Sequence, residues 1–179
     1  MTQTRKIIVH IATSADGWIA RRDGSLDWLT ERPAPAGFYG LPDFARTVDA
    51  KILGRATFDH SLRMGAHFRE DDRYYVFSRQ PPLASLPAGV TFVSEPVEDF
   101  AKRLTSQTGG TIWLMGGAQI IAAFLDAGAI DAFVITVVPV LIGEGIPLIA
   151  PRHRTVPLQL RSATPFPDGV VQHHYDVAR

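Results

Sequence analysis

The chain has 179 residues, of which 46% are hydrophobic and 20% charged, and this length and balance predict one globular domain, residues 1–179, with a sizeable core. Its 18 basic and 18 acidic residues cancel, which argues against nucleic-acid binding, and the absence of cysteine excludes disulfides, thiolate catalysis and cysteine-ligated zinc. No apolar run is long enough to span a membrane, and residues 1–6 lack the features of a signal peptide, so we expect a cytoplasmic protein with no membrane partner.

The predicted elements alternate between strand and helix. Strands are predicted at 7–12, 51–53, 74–77, 90–93, 111–115, 132–140, 158–163 and 170–177, and helices at 41–48, 55–62, 96–105 and 118–127. Alternation implies crossover connections, and hence a mostly parallel sheet with helices on both faces. The last two strands are close enough in sequence to form an antiparallel hairpin.

Two of these strands end in glycine and lead directly into a helix. Gly54 precedes Arg55 and Thr57, and the pair Gly116-Gly117 precedes Ala118. Glycine lets backbone N–H groups approach a ligand closely, and the N-terminus of a helix favours negative charge. The two turns could therefore hold one phosphate-bearing molecule, with a dinucleotide as the first candidate. Alternatively, each turn is an ordinary start of a helix that binds nothing.

Five segments taken together resemble one superfamily. They are residues 12–20, 53–57, 76–79, 115–118 and 138–145. In this order and spacing the chain resembles the dihydrofolate reductase-like superfamily. It looks closest to the reductase domain of riboflavin-biosynthesis deaminase/reductase proteins and its stand-alone bacterial relatives. The resemblance implies a three-layer α/β fold with a mostly parallel central sheet, helices on both faces and an antiparallel C-terminal hairpin.

The resemblance also implies NADPH as the cofactor. The first glycine turn would contact the cofactor phosphates and the second would pack against the pyrophosphate, while Ala12 and Ile19 would border the nicotinamide. Ser78 and Arg79 would lie beside the adenosine ribose, where an arginine suits a 2′-phosphate; the alternative is a solvated loop. The cofactor-binding residues expected from the resemblance are Ala12, Ile19, Gly54, Arg55, Thr57, Ser78, Arg79, Met115, Gly116, Gly117, Ala118, Gln119 and Ile120.

Catalytic and substrate residues are less clearly marked. Asp16 and Asp43 are the carboxylates considered for catalysis, although Asp16 could belong only to a turn and Asp43 only to the first turn of a helix. Trp18, Trp28 and Phe44 are assigned to the substrate, and the two tryptophans could instead be core residues.

The preferred reading is an NADPH-dependent reductase similar to 5-amino-6-(5-phosphoribosylamino)uracil reductase, which acts on a small heterocyclic or ribosyl substrate. A strict dihydrofolate reductase and a non-catalytic NADPH-binding protein are the alternatives. The six histidines show no zinc-binding spacing, so no metal is expected. The apolar strand from Phe133 to Val138 would be costly to expose at a sheet edge, which suggests a homodimer.

Overall fold

The computed structural model describes residues 5–33, 35–81 and 85–178. Residues 1–4, part of the segment that bears on a signal peptide, lie outside the described residues. The strands are β1 Ile7–Ser14, β2 Trp18–Ala20, β3 Val48–Gly54, β4 Tyr74–Phe77, β5 Val90–Val93, β6 Thr111–Gly116, β7 Ala132–Val138, β8 Ile146–Pro147, β9 Leu158–Pro165 and β10 Val171–Val177. The helices are α1 Asp27–Thr30, α2 Leu41–Thr47, α3 Arg55–Arg63, α4 Val97–Thr105 and α5 Ala118–Asp126, with a 3-10 turn at Phe38–Gly40.

The strands form an eight-stranded sheet in the order β5-β4-β3-β6-β1-β7-β10-β9. The strands from β5 to β7 are parallel to their neighbours, whereas β10 and β9 are antiparallel. This is the mostly parallel α/β sheet with a C-terminal antiparallel hairpin that the sequence predicts. Two short strands, β2 and β8, pair separately and were not predicted, because two or three residues are too few to show a period.

The main core lies between the sheet and two helices, α4 and α5. Ile7 and Val9 of β1 are fully buried against Phe100 and Leu104 of α4 and Phe124 of α5. Helix α4 forms where the sequence favours it, because acidic residues occupy its first turn and basic residues its last. Since side chains alternate along a strand, the even-numbered residues of β1 face the opposite side of the sheet. That side is where α2 packs, with the Phe44 ring stacked on His10 at 4.6 Å between centroids.

The premise of the homodimer hypothesis is wrong. The strand from Phe133 to Val138 belongs to β7, which lies inside the sheet between β1 and β10 and therefore leaves no edge to cover. The edge on this side of the sheet is β9, whose eight residues are all exposed. The homodimer itself stays a prediction.

No helix in the described part of the chain is long and apolar enough to cross a membrane.

Candidate functional site

Four neighbouring parallel strands end at one side of the sheet, which we call the carboxyl edge. In the order β4, β3, β6 and β1, these strands end near Ser78, Gly54, Gly116 and Ser14. Ligands of open α/β sheets bind outside the carboxyl ends of the strands. Three strand spacings of about 4.8 Å give this row a length of roughly 14 Å, enough for an elongated ligand.

The two glycine turns lie against each other at the carboxyl edge. A Cβ atom built on Gly54 would lie 3.7 Å from the backbone nitrogen of Gly117 and 3.5 Å from Cγ2 of Ile120. A Cβ on Gly117 would lie 3.1 Å from the hydroxyl oxygen of Thr57, which is closer than ordinary van der Waals contact. Gly116 has φ of 120°, a conformation that favours glycine, and a cis peptide joins it to Gly117. The predicted turns are therefore brought together in space.

Both helices that follow the glycine turns begin without a side-chain cap. Gly54 occupies the N-cap position of α3 and Gly117 that of α5, and neither helix receives a side-chain hydrogen bond at its N-cap. First-turn N–H groups that have no cap can be satisfied by an anion. We call the two turns and these helix starts the backbone cradle; its uncapped N–H groups are the hydrogen-bond donors available to an anion.

The two predicted arginines differ in their surroundings. The Arg55 Nε atom donates to Asp59 at 2.8 Å within the same helix, and its guanidinium lies over the Phe92 ring. Arg79 is exposed, and among the described residues it makes no hydrogen bond or ion pair. The neighbouring Ser78 hydroxyl is hydrogen-bonded to the backbone of Gln80, which forms a tight turn. Arg79 is thus the more available of the two cations.

The residues after the second glycine turn divide into packed and open positions. Ala118 and Ile120 are each 7% exposed and belong to the core, whereas Gln119 between them faces solvent. Met115 is half-buried on the side of β6 away from α5. The structure therefore gives Ala118 and Ile120 a packing role in the wall behind the cradle.

Asp16 holds a loop. Its carboxylate accepts hydrogen bonds from the backbone N–H groups of Ile142 at 3.2 Å and Gly143 at 2.7 Å. The Ser14 hydroxyl, followed by these N–H groups, lowers the pKa of Asp16 from 3.8 to about 2. Asp16 is therefore ionised at neutral pH and fixes the segment that follows β7. Its predicted catalytic role stays a prediction, and these contacts describe a structural anchor.

Asp43 lies on the outer side of α2. Its side chain is 79% exposed and paired with Arg46 three residues later. Phe44 points the other way, onto His10 and edge-on to Trp113 at 5.6 Å. Burial, followed by the charge of His174, lowers the pKa of His10 to about 4, so this ring is neutral at pH 7. Of the two α2 residues predicted for the site, only Phe44 faces the sheet.

The two predicted tryptophans also differ. Trp18 starts the short strand β2 opposite Pro147, and its backbone N–H donates to the Ser14 hydroxyl at 3.0 Å. Trp28 is only 7% exposed and belongs to an apolar cluster with Ala12 and Val138. Its indole N–H is buried and has no partner in the described structure. A buried donor without an acceptor costs free energy, which a ligand acceptor would offset.

A family model described as "RibD C-terminal domain" matches residues 5–172. The chain belongs to the RibD C-terminal domain family.

Relatives in this family extend over almost the whole chain. The uncharacterized protein YwjB of Bacillus subtilis is 40% identical over 171 residues, covering 95% of this chain and 97% of that protein. A solved structure from Shewanella sp. PV-4, of a protein named for riboflavin biosynthesis, is 30% identical with a TM-score of 0.81. It covers 97% of this chain and 99% of that chain.

Two more distant structures show the fold alone. The Thermotoga maritima deaminase/5-amino-6-(5-phosphoribosylamino)uracil reductase has a TM-score of 0.74 at 15% identity, covering 98% of this chain and 57% of that chain. Dihydrofolate reductase from Enterococcus faecalis, complexed with NADP(H), has a TM-score of 0.66 at 16% identity, covering 97% of each chain. The dihydrofolate reductase-like fold implied by the sequence resemblance is therefore confirmed for this RibD-type domain.

A buried polar network on the α2 side of this RibD-type domain was missed from the sequence. The Gln172 side-chain amide donates to the Thr136 hydroxyl at 2.9 Å and to the Tyr39 backbone oxygen at 3.0 Å, and its oxygen meets His174 Nε2 at 3.0 Å. Thr136 and Gln172 are 4% and 6% exposed. The available signal was one polar residue, Thr136, within the apolar strand β7 and several polar residues within β10, which a prediction based on apolar runs passes over.

Neither of two concave surfaces elsewhere touches the carboxyl edge. One, of about 460 Å³, lies at the start of β1 and is lined partly by Arg5, Lys102 and Asp131. The other, of about 290 Å³, lies beside α5 and is lined partly by Leu125 and Arg154. Within the described ranges, no group of three or more potential ligand side chains could hold a metal ion.

Proposed function

We propose that this protein is an NADPH-dependent reductase that transfers a hydride to a small heterocyclic or ribosyl substrate, in the manner of 5-amino-6-(5-phosphoribosylamino)uracil reductase. The observation that carries the proposal is the pair of uncapped glycine turns meeting at the carboxyl edge in a chain of the RibD C-terminal domain family. Both the reductase name of the Thermotoga protein and the NADP(H) complex of the Enterococcus protein support it.

The cradle of Gly54 and Gly117 would hold the pyrophosphate of the cofactor. The first-turn N–H groups of α3 and α5 supply hydrogen-bond donors and a favourable helix dipole there. A Cβ atom at Gly117 would lie 3.1 Å from the Thr57 hydroxyl oxygen, so a side chain there would require Thr57 to shift, and glycine favours the close contact between the turns. Because Thr57 lies against Gly117, its hydroxyl would be a further donor to a phosphate oxygen in the cradle.

Arg79 would recognise the 2′-phosphate that distinguishes NADPH from NADH. It follows β4, one strand beyond the glycine turn of β3, and is the exposed cation without a partner at this edge among the described residues. A guanidinium can bind a phosphate through two parallel hydrogen bonds. Arg55, which is already paired with Asp59, is the weaker candidate for this role.

The nicotinamide would lie at the other end of the row, beside Ala12. When bound, the cofactor supplies the hydride, and the chain supplies position and exclusion of water. Ala12 is partly exposed although β1 has neighbours on both sides, so the sheet is open to a ligand at this point. The neighbouring cluster around Trp28 and Val138 is apolar and keeps this wall dry.

The cofactor assignment is tested by replacing single arginines with alanine. Arg79→Ala should raise the dissociation constant for NADPH by about tenfold to a hundredfold, the loss of one charge-assisted contact, and leave that for NADH within about twofold. Arg63→Ala is the matched control, because Arg63 is also exposed and lies at the far end of α3. Equal weakening of both cofactors by Arg79→Ala, or equal effects of the two substitutions, would contradict the assignment.

Turnover separates this proposal from its alternatives. The protein is mixed with NADPH and with one of two acceptors, 5-amino-6-(5-phosphoribosylamino)uracil or dihydrofolate. Oxidation of NADPH is followed by the loss of its nicotinamide absorbance. We expect oxidation of NADPH with the uracil compound. We do not expect it with dihydrofolate, because Asp43, the carboxylate of α2, points outward and cannot meet a pterin ring. Turnover only with dihydrofolate would replace the proposal, and tight NADPH binding without any turnover would favour a binding protein.

A further inference from the structure

The backbone oxygen of Tyr39 determines which groups donate and which accept in the buried hydrogen-bond network around Gln172. The backbone oxygen of Tyr39 can only accept a hydrogen bond, so the Gln172 atom facing it at 3.0 Å must be the amide nitrogen. The same nitrogen faces the Thr136 hydroxyl oxygen at 2.9 Å. Both amide hydrogens are thereby used, and Thr136 is fixed as the acceptor in this pair.

The other end of Gln172 is fixed by the same logic. With its nitrogen toward Tyr39, its oxygen faces His174 Nε2 at 3.0 Å, so this histidine nitrogen carries a proton. Gln172 is 6% exposed and has every polar group satisfied. Because three hydrogen bonds hold the amide, it cannot rotate to place its oxygen against Thr136 and accept a hydrogen bond from the hydroxyl.

Thr136 is therefore left with a hydroxyl hydrogen to donate. It is 4% exposed, and the described residues give this hydrogen no acceptor. Thr136 pairs directly with Ala12 in the parallel ladder of β1 and β7, so the two side chains lie next to each other on one face. A buried hydroxyl that cannot donate is unfavourable, which points to a ligand in the opening at Ala12.

A second buried hydrogen-bond donor lies beside the opening at Ala12. The Trp28 indole N–H has no partner in the described structure, and Trp28 packs in one cluster with Ala12. On this side of the sheet Arg21 pairs with Asp27, and Arg32 lies 3.7 Å from Asp168 while its buried Nε–H has no partner among the described residues. Around the opening, the described residues thus present unpartnered hydrogen-bond donors between apolar walls.

We propose that Thr136, oriented by Gln172, donates a hydrogen bond to a carbonyl oxygen or an unprotonated ring nitrogen of the substrate heterocycle. Thr136 is a substrate-binding residue in this proposal and Gln172 a positioning residue. The inference rests on the proposed function, because that function places the nicotinamide and hence the acceptor beside Ala12.

The test measures binding of 5,6-diaminouracil to the protein saturated with NADP⁺, followed by tryptophan fluorescence. Thr136→Val, which keeps the shape of the side chain, should raise the dissociation constant about tenfold. Thr136→Ser, which keeps the hydroxyl, should stay within about threefold of the unchanged protein. The dissociation constant for NADPH should move by less than about twofold in both.

Gln172→Glu tests the orientation separately. A carboxylate at this position accepts a hydrogen bond from Thr136 and turns its hydrogen away from the ligand, so diaminouracil binding should weaken as in Thr136→Val although Thr136 is intact. Thr164→Val and Gln159→Glu on the exposed strand β9 are the matched controls. If Gln172→Glu does not fold, the valine and serine variants decide alone.

The outcomes separate the inference from the proposed function. Equal diaminouracil binding by the valine variant and the unchanged protein would overturn the inference, as would an equal loss of NADPH binding in the valine variant. Failure of the unchanged protein to bind diaminouracil while it binds NADPH would overturn the inference and leave the cofactor assignment standing. Failure to bind NADPH would remove the proposed function and the inference together.

Discussion

The candidate site has two halves that are built differently. The half formed by β4, β3 and β6 presents mainly backbone, with two glycine turns in contact and two helix starts that lack a side-chain cap. Beside them lies Arg79, which has no partner among the described residues. The half formed by β1, β7 and β10 presents side chains, with Phe44 stacked on a buried histidine and Gln172 bonded to three partners. Under the proposed function, main-chain N–H groups would recognise the phosphates of the cofactor, whereas side chains from strands far apart in the sequence would recognise the substrate that accepts the hydride.

The largest expected effect is a loss of stability of the side-chain half at acidic pH. In the folded protein, burial lowers the pKa of His10 from 6.5 to about 4. The substitution His10→Phe removes this titrating group but keeps a ring against Phe44. Between these values the unfolded chain binds the proton and the folded chain does not, so this contribution to stability is present above pH 6.5 and lost as the pH falls toward 4. From pH 7 to pH 5 the unchanged protein should lose about 2 kcal/mol more unfolding free energy than the variant.

The measurement is chemical denaturation of both proteins at the two pH values. Parallel losses in the two proteins would show that His10 is not a buried neutral ring, and the side-chain half would then be more open than described.

The next effect addresses the backbone half. A methyl group on Gly54 would meet Ile120 at 3.5 Å, an ordinary contact, and Gly54 has φ of −77°, which alanine adopts freely. Gly54→Ala should therefore fold normally and raise the NADPH dissociation constant about tenfold, because the methyl group narrows the cradle. Calorimetric titration and the melting temperature check both parts; a lower melting temperature with unchanged NADPH binding would mean that the glycine serves packing alone.

A smaller effect concerns the loop that borders both halves. The pKa of Asp16 is lowered from 3.8 to about 2, chiefly by Ser14, so its contribution to stability is complete above pH 4 and lost as the pH falls through 2. Asp16→Asn should lose less stability than the unchanged protein between pH 4 and pH 2. Thermal unfolding across this range measures the difference, and identical profiles would show that the bonds to Ile142 and Gly143 contribute nothing.

The smallest effect is expected at Asp43. Its carboxylate is 79% exposed and paired with Arg46, and exposed pairs of this kind contribute little. Asp43→Asn should change kcat/KM of the reductase reaction by less than about twofold. A loss of two orders of magnitude or more would return Asp43 to the catalytic role predicted from the sequence and place α2 differently over the acceptor.

The sequence predicted the backbone half better than the side-chain half, for a physical reason. Strand-to-helix turns at Gly54 and Gly117 are local, so a short motif marks them, and strands β4 and β5 have their predicted bounds. In the network of Tyr39, Thr136 and Gln172, Gln172 bonds residues that lie 36 and 133 positions away along the chain, and the geometry arises only when the strands pair.

The edge position of β7 was predicted wrongly for a related reason. A long β-branched run shows that a strand is buried, but the run itself does not reveal which strands lie beside it. The pairing of β7 with β10 depends on the return of the chain at the C-terminal hairpin.

The most direct test of the central claim is a crystal structure of the protein with NADPH. The claim predicts the pyrophosphate between Gly54 and Gly117, the 2′-phosphate at Arg79 and the nicotinamide beside Ala12. NADPH bound elsewhere, for example in the concave surface that Arg5 and Lys102 line at the opposite edge, would contradict it.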